Sequence, residues 1–218
     1  KAGPALDLIM DLLDAPAPDQ STQAIAQAVQ APDKASGLKA LYKAFHKCQA
    51  CALGTTRTKF VFGEGDPNAS LFFVGEGPGE DEDLSGRPFV GKAGQLLDRI
   101  IEAMGFKRHE VFIANVVKCR PPNNRNPLPD EMASCSPILN RQIEIVQPQV
   151  IIALGATPLR HFVGESAGIT RMRGKFIDWK GIALMPTFHP AYILRNPASK
   201  RDVWEDMKLV MARIGKEP

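Results

Sequence analysis

The sequence contains no apolar run approaching the roughly 18 residues of a membrane-spanning helix, which leaves no candidate for one. It has no internal repeat. Its first residues carry Asp7, Asp11, Asp14 and Asp19 rather than a basic region followed by a cleavage site, so no secretory leader is expected. Aromatic residues are scarce, with two Trp and two Tyr in 218 residues, and cysteine is scarce too, with four. Four cysteines could form two disulfides in a secreted protein, but a chain that is 44% hydrophobic can build a core without covalent staples. The expectation is a reduced, cytoplasmic compartment and a single domain of good size, with or without an appendage.

A strong overall charge is also lacking: the net value is +3. Its distribution is uneven. Residues 1–40 hold three Lys and five acids, whereas residues 160–201 hold eight Lys/Arg against two acids. Such a concentration of positive charge is either a solvated face or the footprint of a polyanion partner.

The four cysteines are the most informative residues present. Cys48 and Cys51 form C-x2-C; after 67 intervening residues, Cys119 and Cys135 form C-x15-C. Thiolates are soft ligands, so a four-cysteine set suits zinc or an iron–sulfur cluster. Zinc sites usually show two close pairs; the split second pair leans towards a cluster, and spacing alone leaves both open.

Residues 1–40 read as a helical extension, with helices over Ala5–Leu13 and from Ser21/Thr22 to Val29, broken by Pro-containing segments; a third lies near Leu38–Phe45. Residues 41–218 read as one domain. Four short apolar runs, Ser70–Val74, Val111–Val117, Val150–Leu154 and Ile182–Met185, suit buried parallel strands. Helical stretches alternate with them: Ala93–Met104, Glu131–Val146, Pro158–Val163 and Lys200–Ile214. The expected fold is α/β, with helices on both faces of a parallel sheet.

Ligands of such sheets bind beyond the carboxyl ends of the strands. The first run ends in Gly75-Glu-Gly-Pro-Gly79, the second contains Asn115 and ends at Lys118-Cys-Arg-Pro-Pro122, the third ends in Gly155-Ala-Thr-Pro158, and the fourth in Pro186-Thr-Phe-His-Pro-Ala191. The first, second and fourth endings bring an acid, an amide, a thiolate and an imidazole to one edge. The glycine-rich segment lacks the Lys-Ser/Thr ending of a P-loop, and five acids in the eight residues from Glu76 to Asp83 would repel phosphate. It is either a turn before a solvated acidic run or a place where a ligand approaches the backbone closely. Asn115, among apolar residues, is either a structural amide or one held for a ligand. His189 is the histidine at the sheet edge; His46, His109 and His161 lie in helices or connections. Phe89, flanked by glycines in Gly86-Arg-Pro-Phe-Val-Gly91, is a core residue or a stacking platform. Arg120 and Arg125 in a Pro-rich loop, Arg171 and Arg173 in Ile169–Gly174, and Arg195 suit either solvation or phosphate contact.

In combination and in this order, C-x2-C, GEGPG-x-x-ED, GRPFVGKAG, NVVKCRPP-x-NR, the fourth cysteine and HPAY resemble the family 4 uracil-DNA glycosylases, over roughly Leu41 to Ile214. The resemblance implies a three-layer α/β/α sandwich around a four-stranded parallel sheet. It implies a structural [4Fe–4S] cluster on Cys48, Cys51, Cys119 and Cys135, and a monomer that removes uracil from DNA by hydrolysis.

By the same resemblance, a flipped uracil would stack on Phe89. Asn115 would read O4 and N3–H, and Glu82 would lie near C5 to exclude the methyl of thymine. His189 would donate to O2, helped by backbone N–H groups around Glu76, Gly77 and Pro78. Where family 1 enzymes place a water-positioning Asp, this chain has Gly77, with Glu76 the nearest acid, so His189 and Glu76 are the candidate catalytic groups. The stretch Thr170–Gly174 has no His of the kind with which a related family crosslinks to DNA, so turnover is expected. Tyr192, Ile193 and Leu194 are candidates for a wedge filling the gap left by the base. The competing readings are a DNA-binding module with a structural zinc, and an iron–sulfur redox or sensor protein.

Overall fold

The structure, a computed structural model, describes residues 31–217. The helices expected over Ala5–Leu13 and up to Val29 lie outside the described residues. Helix α1 (Lys34–Phe45) is capped by Asp33, whose carboxylate accepts from the Ser36 amide at 2.8 Å. It runs through the expected division at residue 40, and Leu38 and Leu41 on either side of that point are both buried in the main core. A short helix α2 (Leu53–Thr56) follows the first cysteine pair.

The sheet begins with a two-residue edge strand β1 (Glu64–Gly65), followed by β2 (Leu71–Gly75). The acidic run folds as helix α3 (Glu80–Ser85), and α4 spans Lys92–Ala103. Strand β3 is Phe112–Asn115. Helix α5 (Pro129–Val146) starts with Pro129 in its first turn and carries Pro137 without breaking. Then come β4 (Val150–Leu154), α6 (Ala156–Val163), α7 (Ile169–Met172), β5 (Ile177–Trp179), β6 (Ile182–Thr187), α8 (Pro190–Arg195) and α9 (Lys200–Arg213).

The strand order is β1-β3-β2-β4-β6-β5. The four expected strands form the parallel centre, in the order β3-β2-β4-β6. The sheet is nevertheless six-stranded, because β1 and β5 add antiparallel edges. Strand β5 joins β6 through Lys180-Gly181, with φ of 52° and 83°, the left-handed pair that a tight hairpin turn demands. Pro186 is tolerated in β6 because β5 stops pairing at Leu184, so its missing N–H breaks no edge bond.

Although each central strand is apolar throughout, its residues still alternate between faces. Phe72, Val74, Phe112, Ala114, Ile151, Ala153 and Leu184 pack with α1, α5 and Phe162. Leu71, Phe73, Ile113, Val150, Ile152, Leu154 and Met185 pack with α4 and α9. Helices on both faces make the expected three layers. The register sets Gly75 beside Asn115 and Leu154 beside Thr187, which aligns the strand ends along one edge. No helix among the described residues is long and apolar enough to cross a membrane.

Candidate active site

The aligned strand ends open into a cleft of about 650 Å³, lined by Glu76, Gly77, Pro78, Glu82, Phe89, Asn115 and His189 among others. The structure thus brings into one cleft the seven residues that the resemblance implies for uracil binding.

Backbone glycine makes the first contact possible. A Cβ on Gly75 would lie 2.4 Å from both the Asn115 Oδ1 atom and the Phe89 ring, so only glycine lets these two groups approach the strand end. Asn115 is 2% exposed, and its Oδ1 is buried with no hydrogen-bond partner among the described residues. A native core rarely leaves an amide oxygen orphaned, since its lost solvation costs about 1–3 kcal/mol. The residue lines the cleft.

Phe89 is 6% exposed and adopts φ 51°, a left-handed backbone that a bulky residue avoids. Two groups hold it there. The Arg108 guanidinium donates to the Phe89 carbonyl at 3.1 Å and the Pro88 carbonyl at 2.5 Å while pairing with Glu64 and Asp98. The Glu82 carboxylate accepts from the amides of Val90 at 2.8 Å, Gly91 at 2.9 Å and Gly79 at 3.0 Å. Glu82 therefore reaches the cleft as a pinned strut with both oxygens engaged. The Gly79 amide being taken and Pro78 having no N–H, the backbone donors this loop can offer are those of Glu76 and Gly77.

His189 stacks on Phe89, with ring centroids 5.6 Å apart and planes at 29°. Its Nδ1 accepts from the Ala191 amide at 3.0 Å, capping α8. The proton of a neutral ring is thereby placed on Nε2. Burial, and then the nearby Arg195 charge, pull the imidazole pKa down to about 4, against an opposing pull from Glu82. The ring is a neutral donor at physiological pH.

Glu76 follows β2 and accepts at Oε2 from the Thr157 hydroxyl at 2.5 Å. Thr157 belongs to the third strand ending, which supplied no ionisable group and so drew no attention in the sequence. Arg108 was missed for a related reason: in sequence it looks like any surface arginine.

The candidate phosphate-contacting arginines divide. Arg195 is exposed on the cleft rim. Arg125 also lines the cleft but forms a two-pronged pair with buried Glu131, at 2.8 and 2.6 Å. Arg120 lies near Glu80 at 3.6 Å and donates to Asn124. Arg171 is exposed, away from the cleft lining. Arg173 is committed inward, to buried Asp206 at 2.6 Å and to the Asp202 carbonyl, with its guanidinium over Phe188. Of the wedge candidates, Tyr192 and Leu194 are exposed, whereas Ile193 is buried in the core.

All four cysteines are free thiols; Cys119 and Cys135 are buried, and Cys48 and Cys51 are half-buried. No three His, Cys, Asp or Glu side chains among the described residues are gathered tightly enough for a single ion. The thiols are close enough to influence one another: Cys48 and Cys51 act on Cys119, and Cys119 and Cys51 act on Cys135. Burial pushes the Cys135 thiol up to about 12 and also raises Cys119. That argues against a reactive nucleophile. Two donors lie against the buried sulfurs. Arg57 lies 3.2 Å from the Cys119 sulfur, and wholly buried Lys118 donates its own amide to the Cys135 sulfur at 3.3 Å. The donor set and its countercharge fit an anionic, thiolate-bound metal group.

The model of the uracil DNA glycosylase superfamily matches residues 62–208. A type-4 uracil-DNA glycosylase of Thermotoga maritima is 53% identical over 175 residues, covering 78% of this chain and 91% of that protein. Another, from Sulfurisphaera tokodaii, is 49% identical over 172 residues, covering 75% and 78%. A third, from Saccharolobus solfataricus, is 45% identical over 181 residues, covering 79% and 84%.

The half-buried imidazole has a measurable consequence. An NMR titration of His189 is expected to give a pKa of about 4, and Arg195→Ala to raise it by removing a like charge. An unfolded chain binds the same proton near 6.5. The contribution of His189 to folding stability is therefore intact above about 6.5 and lost as pH falls towards 4. A His189 ring that titrates near 6.5 in the folded protein would show the site to be solvated instead.

Proposed function

The chain belongs to the uracil DNA glycosylase superfamily and sides with its type-4 enzymes, and from that premise we propose that its cleft receives a uracil flipped out of DNA and releases it by hydrolysis of the N-glycosidic bond. The observation that carries this reading is the orphaned Oδ1 of Asn115, set beside the Phe89 ring and the neutral His189 imidazole.

A base inside a duplex is out of reach, so it must leave the stack. Stacking of the extruded ring on Phe89 would contribute about 1–3 kcal/mol. Uracil offers an N3–H donor beside the O4 acceptor. The Asn115 amide is their complement: Oδ1 accepts from N3–H and Nδ2 donates to O4. Cytosine reverses both groups and would leave Oδ1 buried and unpaired, which is how a polar pocket discriminates strongly. Pinned by three backbone amides, Glu82 is a wall that cannot swing aside for the 5-methyl of thymine.

Bond cleavage leaves positive charge on the sugar and negative charge on the base. With Nδ1 occupied by the Ala191 amide, Nε2–H of His189 is the donor available to the charge that develops on O2. The N–H groups of Glu76 and Gly77 lie in the same loop. Glu76, half-buried at the cleft, is the acid placed to act on the sugar cation and the attacking water. Arg195 and Arg125 at the cleft, and Arg120 and Arg171 further out, would meet the DNA backbone; Arg173 shapes the segment before His189 through Asp206 and Phe188. The protein would act as a monomer on single- or double-stranded DNA in the cytoplasm.

Cys48, Cys51, Cys119 and Cys135 would hold a [4Fe–4S] cluster. When bound, it supplies a staple joining the segment before α2, the segment after β3 and helix α5, and no step of base release passes through it. A zinc-bearing DNA-binding module or a redox sensor gives no account of an unpaired amide and a neutral imidazole facing one cleft.

The test is single-turnover cleavage of uracil-containing oligonucleotides. His189→Ala is expected to lower the rate by about 10²–10³ with substrate binding changed much less, because the charge it meets exists mainly in the transition state. Asn115→Asp should lower uracil excision and admit weak cytosine excision where the carboxylate is ionised, resolved by a pH series. A His189→Ala protein with wild-type cleavage and weakened binding would show its role to be wrong. For the cluster, anaerobically purified protein should contain about four irons per chain, and Cys119→Ala should lower both iron content and melting temperature. Stoichiometric zinc without iron would overturn that assignment.

A further inference from the structure

We infer that Thr157 is a positioning residue for uracil release, acting through Glu76. The inference rests on the reading of the cleft given above, with Glu76 acting at the reacting atoms.

Thr157 lies in the first turn of α6 and is 6% exposed. Its Oγ1 donates to Glu76 Oε2 at 2.5 Å, across a sequence separation of 81 residues. The two residues approach because β2 and β4 are adjacent parallel strands, so the turn after one meets the turn after the other. Gly155, with φ +97°, makes that turn, and a Cβ there would lie 3.1 Å from the His189 Cβ. The start of α6 is therefore wedged between Glu76 on one side and His189 on the other, and a shift of either would be felt by Thr157.

The terminal torsion of a glutamate is broad and nearly two-fold, so an untethered carboxylate samples many planes and exchanges its two oxygens. A hydroxyl held in a buried helix start removes that freedom. Oε2 is occupied, and Oε1 is left without a protein partner among the described residues. One oxygen of known identity then faces its task, whether that is orienting the attacking water or meeting the sugar cation. Such orientation matters because small misplacements of a reacting group cost rate rather than binding. Thr157 touches neither water nor sugar in this scheme. It fixes the group that does.

The experiment is a double-mutant cycle on the full chain. It combines single-turnover cleavage of uracil-containing oligonucleotides with binding measured on the same DNA and with melting temperatures. Thr157→Val removes the donor, and losing a hydrogen bond to a charged group should lower the cleavage rate about ten- to a hundredfold, with binding within about twofold. Thr157→Ser keeps the hydroxyl and should restore the rate to within about threefold of wild type. Glu76→Ala should be slow, and adding Thr157→Val to it should cost nothing further, because the two side chains act as one unit. Additive losses, or a Thr157→Val protein that cleaves at the wild-type rate, would overturn the inference while leaving the wider reading intact. If Thr157→Ser were as slow as Thr157→Val, the methyl packing and not the hydroxyl would be responsible, and the inference would fall. A wild-type protein that releases no uracil would sink the wider reading itself.

Discussion

The site depends most on one carboxylate. Glu82 gathers the amides of Gly79, Val90 and Gly91, and so ties the glycine-rich turn after β2 to the loop that carries Phe89. Neither loop has a ladder of its own to hold it. A charge that accepts three N–H bonds can offset the cost of leaving two segments in irregular conformations, because charge-assisted bonds are about twice as strong as neutral ones. The same contact closes the N-terminus of α3, where four consecutive acids are favourably placed against the helix dipole. What looks like an acidic surface run is therefore the clamp of the cleft.

A second tie runs beneath it. The wholly buried Lys118 Nζ, whose pKa burial pulls down to about 7, donates to the Asn115 carbonyl at 2.8 Å and to Gln142 Oε1 at 2.6 Å. Gln142 sits on α5, the helix that carries Cys135, and its amide donates to the Phe62 carbonyl. The end of β3, the cysteine region and the strand-edge segment are thus joined by one chain of hydrogen bonds. Disorder among the thiols would be transmitted through these hydrogen bonds to the backbone that carries the Asn115 amide.

The parallel centre of the sheet was legible because β2, β3, β4 and β6 are continuous apolar runs, and their endings point to Glu76, Asn115 and His189 from residue type alone. The edges were not legible. Strand β1 is two residues long, and β5 has only Ile177, Asp178 and Trp179, with Lys180-Gly181 in place of the Asn-Gly that usually marks such a turn. Local pattern was also silent on partners distant in sequence. That Arg125 and Arg173 would spend their charge on Glu131 and Asp206, that Arg108 would hold Phe89, and that Thr157 would meet Glu76 are all decided by tertiary contact between segments. The four cysteines fell between these cases: their chemistry and common site were expected from residue type and spacing, while the donors against Cys119 and Cys135 are decided by the fold.

Phe89 shows what such a site demands of its surroundings. At φ 51° a glycine would be the comfortable residue, and a phenylalanine there costs of order 1–3 kcal/mol of backbone strain. Stability alone would select against the ring, whereas the stacking proposed for it would select in its favour. The position is therefore a point where the two pressures oppose each other. The Arg108 and Glu82 contacts are the compensation that lets the second prevail. Sequence drift in this neighbourhood is consequently constrained as a set: a change that relaxes either support removes the reason for keeping an aromatic side chain in a glycine's conformation.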